Sequence, residues 1–337
     1  MAEEPDLTTI APSELRERLG IDAVHCQFER VGGRILSALI FDTDIESLEP
    51  MRGLLLRRLE LHNVPVSDLS PLAGAPLETL MLTKTKVRDL EPLRGCTPAV
   101  VVLIESPVES IDAVVTSSLK GLALNDVPVT ILPSLAGCPI EEIHIEKTKL
   151  IDLTPLATLQ PQRLVVRDSP VTDLAPLAGK NYAELDLIGT HVSDLSPLRG
   201  NRLGILWLRQ TQVRDLAPLA LTELTSLDVQ ETPVEDLRPL ASLGTLQRLN
   251  VAGTAVTDLR PIAGLPLTRL IFTPANIREG MEAVRGMTSL QELDVQFEPE
   301  ERRAMTPQQF WARYDAGDFG TATTESNGTP DTEAAQP

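Results

Sequence analysis

His144, Glu146, Glu105 and Asp126 have the side-chain types that ligate zinc, and the spacing of the chain puts them on three neighbouring short segments. Zinc requires such ligands to converge on one point. Lys147 stands beside them and no second histidine is near, so a solvated polar face is expected here rather than a metal centre. A recurring aspartate, at Asp68, Asp89, Asp152, Asp173, Asp194, Asp215, Asp236 and Asp258, resembles a cation ladder. Calcium needs six or more converging oxygens, whereas each of these residues has a local capping task, so capping is the expected role. Cys26, Cys96 and Cys138 show no C-x-x-C spacing. Cys96 and Cys138 fall two repeats apart, roughly 10 Å by strand spacing, which is too far for a disulfide and suggests small apolar fillers.

No other reactive constellation is present. The chain has four histidines and lacks a phosphate-binding Gly-rich loop, H-E-x-x-H, G-x-S-x-G and the kinase signatures. The expectation is a protein that is not an enzyme, with no catalytic residue, cofactor or metal. A net charge of −18 argues against a broad grip on nucleic acid or anionic lipid, since phosphate binding needs clustered Lys and Arg. A neutral or basic protein partner is easier to accommodate. The acidic start MAEEPDLTTIAPSELRERLG is unlike a signal peptide, and no apolar run reaches membrane-spanning length, so a soluble, cytoplasmic, monomeric protein is expected.

What positions these residues is a repeat. Pro50, Pro71, Pro92, Pro155, Pro176, Pro197, Pro218 and Pro239 are separated by 21 residues or multiples of 21, with Ala113 and Ser134 at the proline position of two degenerate units. Pro261 follows at 22. Ahead of each proline stands L-x-x-L-x-L, as in Leu77, Leu80, Leu82 or Leu203, Leu206, Leu208; thirteen copies run from Ile35, Ala38, Ile40 to Leu290, Leu293, Val295. Alternating apolar residues predict a short strand with one buried side, and stacking in parallel lets each strand bury that side against its neighbours. With 21 residues per coil, too little chain remains for a long helix on the return. The D-L-x-P-L segment then predicts a 3₁₀ corner: Asp caps, Pro fixes φ, and the leucines point inward. Three residues after the last strand leucine, Thr43, Thr85, Thr148, Thr190, Thr211, Thr232 and Thr254, with Ser106 and Ser169, form a hydroxyl column expected to bond backbone groups of adjacent coils.

The pattern L-x-x-L-x-L-x-x-T-x-V-x-D-L-x-P-L over residues 35–298 resembles a bacterial leucine-rich repeat array of the internalin kind. It is also similar to arrays that in planctomycete-type bacteria occur alone or attached to serine/threonine kinases. The resemblance implies an α/β leucine-rich repeat solenoid with a parallel β-sheet on the concave face and short turns or 3₁₀ segments on the convex face. Thr replaces the usual Asn, and neither a secretion signal nor a wall anchor is read, so a host-receptor role does not carry over. The kinase-linked arrays imply an alternative function, a regulatory or substrate-recruiting subunit acting with such an enzyme in trans.

Open solenoid ends need caps. Residues 1–34 are assigned to an N-terminal cap with a helix opened by Ser13, and residues 299–319 to a capping helix whose Phe310, Trp311 and Tyr314 form a lid rather than a docking motif. Residues 320–337, polar and rich in small side chains, are expected to be disordered.

If the leucines face in, the intervening residues form the free face. Its central column reads Leu39, Glu60, Met81, Val102, Ala123, His144, Val165, Asp186, Trp207, Asp228, Asn250, Ile271, Asp294. Two patches present large apolar groups without a core to justify them. Trp207 and Ile205 join Ile188 and Val165, with Arg167 and Arg209 beside them; Met81, Val100, Val102 and Ile104 form the second. Trp and Arg are frequent interface anchors, so the Trp207 patch is the expected primary contact for a protein or peptide.

Overall fold

A computed structural model describes residues 10–296 and 304–319. The tail expected over 320–337 lies outside the described residues, as do residues 1–9 and 299–303 of the two assigned caps.

One sheet of fourteen strands runs in chain order. β1 (Cys26–Val31) is antiparallel to β2 (Arg34–Phe41), the two joined through Gly32 and Gly33, both at positive φ as a two-residue hairpin turn requires. From β2 onward all neighbours are parallel: β3 (Arg58–His62), β4 (Thr79–Thr83), β5 (Val100–Ile104), β6 (Gly121–Asn125), β7 (Glu142–Glu146), β8 (Arg163–Arg167), β9 (Tyr182–Asp186), β10 (Leu203–Trp207), β11 (Ser226–Asp228), β12 (Arg248–Asn250), β13 (Arg269–Ile271) and β14 (Glu292–Asp294). The period sets the register. Leu80 lies beside Leu59 and Val101, and Leu82 beside Leu61 and Leu103. These side chains join one continuous core that also holds Leu122 and Leu206.

Nine 3₁₀ turns among the described residues carry proline at their centre, from Glu49–Met51 to Arg260–Ile262. Around Ala113 only the first bond of the corner survives, Val114 N–H to the Ile111 carbonyl at 3.0 Å, and no full 3₁₀ segment forms there or around Ser134, the two positions where the proline is replaced. Proline's fixed φ favours the complete corner, with both of its bonds. The preceding aspartate caps as expected: Asp68 Oδ1 accepts the Ser70 N–H at 2.8 Å, and the same bond recurs at Asp89, Asp152, Asp173, Asp194, Asp215, Asp236 and Asp258.

The hydroxyl column divides into two modes. Thr85 bonds Ser106, and Thr148 bonds Ser169, across adjacent coils. Thr190, Thr211, Thr232 and Thr254 instead donate to the carbonyl three residues back in their own coil, a correction to the inter-coil role expected of them. The Thr43 hydroxyl, expected in the same column, is buried with no hydrogen-bond partner among the described residues.

A second column was not read from the sequence. Asp42, Asn63, Lys84, Glu105, Asp126, Lys147, Asp168, Gln210 and Glu231 all have positive φ, one per coil, just after the strand. Their N–H groups continue the ladder, as in Lys147 to the Arg167 carbonyl at 3.0 Å. Left-handed backbone costs a non-glycine residue roughly 1 kcal/mol, and the ladder bonds hold it there.

At the N-terminal end α1 (Pro12–Leu19) closes against the first coil with Leu15 and Leu19 buried. The helix opens at Pro12, not Ser13, because proline at the first position is already set to helical φ. A short α2 (Met281–Arg285) lies on the return side of the last coil. At the far end α3 (Pro307–Asp315) starts with a capping box between Thr306 and Gln309. It lays Phe310, 0 % exposed, 5.4 Å from the Phe272 ring. Leu293 donates its N–H to the Met305 carbonyl, so the last strand has a backbone partner.

Two outcomes follow from these columns. Lys147→Gly should raise stability by about 0.5–1 kcal/mol, because glycine adopts positive φ without the Cβ clash, while Lys147→Val should lower it; urea denaturation decides both. The Asp194 carboxyl is held below its ordinary 3.8 by the Ser196 hydroxyl and N–H. A depressed carboxyl stabilises the fold above the unfolded pKa and loses that contribution as pH falls through the folded one. The urea midpoint should thus drop less between about pH 5 and about pH 3 in Asp194→Asn than in the wild type.

Candidate binding face

The strands change length where the central column becomes polar. β3 to β10 have five residues, but β11 to β14 have three. β11 to β14 are short because they begin two residues later than β10, while their far ends stay aligned with Trp207. At that far end Asp228 Oδ1 accepts the Gln230 N–H at 2.9 Å and Asn250 Oδ1 that of Ala252 at 3.1 Å, turning the chain out of the sheet. Asp186 already does this to Ile188 at 3.1 Å. From β9 onward the face therefore has two outward columns rather than three, and Ile188 and Arg209 sit on bends instead of strands.

Much of the central column is not free. Glu60, Val165, Asp186, Asp228, Asn250, Ile271 and Asp294 are buried, contrary to the solvent-facing role expected of them. Tight strand spacing and the long side chains on the flanking columns cover them. Arg167 donates to Asp186 Oδ2 through Nε at 2.7 Å and also through Nη2, and Arg209 Nη2 donates to Asp228 Oδ2 at 2.8 Å. With the carboxylates 0 % and 1 % exposed, these two arginines neutralise buried charge. The hydrogen bond to Asp186 holds the Arg167 guanidinium above its ordinary value.

Trp207 is half-buried, its Nε1 donating to Glu184 Oε1 at 3.2 Å, and Glu184 in turn meets Arg163 Nε at 3.0 Å. Beside the indole a shallow depression of about 160 Å³ opens toward the C-terminal strands. Ile205, Ser226, Arg248, Arg269 and Ile271 line it with Trp207, over Asp228 and Asn250. Ser226 is the small residue that leaves the space.

No protein-family model matches the chain, and no curated protein matches it in sequence. Solved structures do match. An internalin, InlF, from Listeria monocytogenes superposes with a TM-score of 0.70 at 21% identity, covering 87% of this chain and 92% of that one. The functional domain of InlJ from the same organism, which includes a cysteine ladder, matches with a TM-score of 0.51 at 19% identity, covering 77% of this chain and 56% of that one. The protein is a leucine-rich repeat solenoid of the internalin fold. At these identities the likeness is one of fold.

On this leucine-rich repeat frame the residues singled out from the sequence separate. Trp207 and Ile205 stand together at the depression, half-buried and accessible. Val165, 4% exposed, is withdrawn from the surface, a correction to its place in the patch. Ile188 stays half-buried at its bend, and Arg167 and Arg209 are held by aspartates. Met81, Val100, Val102 and Ile104 form one half-buried apolar patch on β4 and β5. Arg248, Arg269 and Ser226 were missed, and Ile271, read as part of the outward column, was not joined to the patch. The signal was available, since stacking makes the following coils as near to Trp207 as the preceding ones.

The reactive candidates disperse. Among the described residues no group of three or more His, Cys, Asp or Glu is placed to hold a metal. Glu105 pairs with Lys84 at 3.5 Å and Glu146 with Lys147 at 3.7 Å. The three cysteines are free and buried, and burial pushes each thiol up. Cys96 and Cys138 are more than fillers: Cys96 Sγ donates to the Ala75 carbonyl at 3.0 Å and Cys138 Sγ to that of Thr116 at 3.2 Å. Lys180 takes the same place two coils on, with Nζ bonded to the Ala157 and Leu159 carbonyls. The coil between Cys138 and Lys180 carries Leu159 there, so the position takes either a donor or an apolar side chain.

Arg209→Ala leaves the Asp228 carboxylate buried without its guanidinium, which should cost about 3 kcal/mol. The double variant Arg209→Ala/Asp228→Ala should recover part of that loss in a thermal-melt double-mutant cycle.

Proposed function

We propose that the protein is a non-enzymatic, monomeric interaction scaffold that holds a protein or peptide against its sheet face, with Trp207 and Ile205 as the principal contact. The half-exposed indole beside an open depression carries this reading. Aromatic side chains next to a pocket are the commonest anchors of protein interfaces. The Met81, Val100, Val102 and Ile104 patch serves as a second, aliphatic contact on the same face. Arg167, Arg209, Val165 and Ile188 support the first contact from behind rather than meeting the partner. No helix among the described residues is long and apolar enough to cross a membrane. Three buried free thiols suit a reducing compartment, in keeping with a cytoplasmic partner.

Affinity capture followed by titration of the purified captured protein tests the reading. Trp207→Ala should weaken binding by tenfold or more while the melting temperature stays close to the wild type. Met81→Ala and Val102→Ala should weaken it less. Unchanged affinity in Trp207→Ala would remove the face as the site.

A further inference from the structure

On the sheet face almost every arginine has its own carboxylate. Arg58 meets Glu60, Arg163 meets Glu184, Arg167 meets Asp186, Arg209 meets Asp228 and Arg269 meets Glu292. Arg248 has no such partner among the described residues, although the chain carries a net charge of −18. Its neighbours in register on the two adjoining strands are Ser226 and Arg269. Acidic side chains outnumber basic ones in the chain, so Arg248, without a carboxylate where Arg209 and Arg269 close by have theirs, is available to an external anion.

Ser226 adds an independent observation. It is 3% exposed, lines the depression and has no side-chain hydrogen bond among the described residues. Its hydroxyl opens onto the depression instead of being sealed in the core, so it can donate to a ligand there. Ser226 and Arg248 occupy one outward column on strands spaced by about 4.8 Å, close enough for a single carboxylate to receive both. The opposite wall is apolar, formed by Trp207 and Ile205 on one side and Ile271 on the other.

We infer that the depression receives a peptide segment in which an acidic side chain sits beside a large apolar one, the carboxylate on Arg248 and Ser226 and the apolar group against Trp207. This rests on the binding face proposed above. A guanidinium matches a carboxylate with two parallel hydrogen bonds.

The test uses the full chain and three sets of N-acetylated, C-amidated fluorescent hexapeptides with Leu or Phe beside Glu, Gln or Lys, read by anisotropy. The Glu set should bind about tenfold tighter than the isosteric Gln set, and the Lys set weakest. Arg248→Gln should abolish the difference between Glu and Gln peptides, and Trp207→Ala should remove binding of both. Equal binding of Glu and Gln peptides that still depends on Trp207 overturns the acidic preference but leaves the binding face standing. A preference that survives Arg248→Gln also overturns it. Absence of any Trp207-dependent binding removes the peptide as occupant and counts against the face itself. A fourth set, Gln peptides with a free C-terminal carboxylate, separates the two sources of the anion. If these alone bind tightly, the carboxylate belongs to a chain end and the side-chain assignment fails.

Discussion

Each coil of this protein hands its backbone hydrogen bonds to the next, and that single constraint shapes everything else. A strand at the middle of the stack has no other way to satisfy its N–H and C=O groups once its leucines are buried. The chain therefore must return to the same point after each coil. Proline at the 3₁₀ corner, aspartate ahead of it, and a left-handed residue after the strand all serve that return. The left-handed column shows the strength of the demand, since lysine and glutamate accept a conformation they would otherwise avoid because their N–H groups are needed by the adjacent coil.

The same constraint governs the face. Outward residues are held at the strand spacing, so a large side chain shields its small or acidic neighbours. Asp186 and Asp228 are covered in this way, and each then requires an arginine. Charge on the face is for the most part internally matched, which leaves apolar groups and a few exceptions unmatched. In the binding proposed above, local departures from the matching are what would distinguish one partner from another.

The internal side of the coil shows a tolerance that the repeat consensus conceals. Cysteine, lysine, asparagine and threonine follow one another at the position after the back-side turn, each bonded to a backbone carbonyl. Leu54, Ala75, Leu159, Leu243 and Leu265 fill the same position in other coils, so the place accepts either an apolar side chain or a donor that reaches a carbonyl. This differs from the leucine positions, where volume and the absence of polar atoms matter and little besides aliphatic residues enters.

The period, the inward leucines, the 3₁₀ corner and its aspartate cap were all legible in the chain, because each is a local rule repeated until chance is excluded. The hairpin β1, the start of α1 at Pro12 and the left-handed column were present as residues but went unread, since single coils show no pattern that distinguishes them. For the face, the sequence alone determined which side chains point outward. Only the tertiary structure decided which of them remain accessible. Accessibility depends on the neighbours one coil away on both sides, and so Val165 disappears beneath its surroundings while Ser226, too small to fill its place, opens the depression beside Trp207.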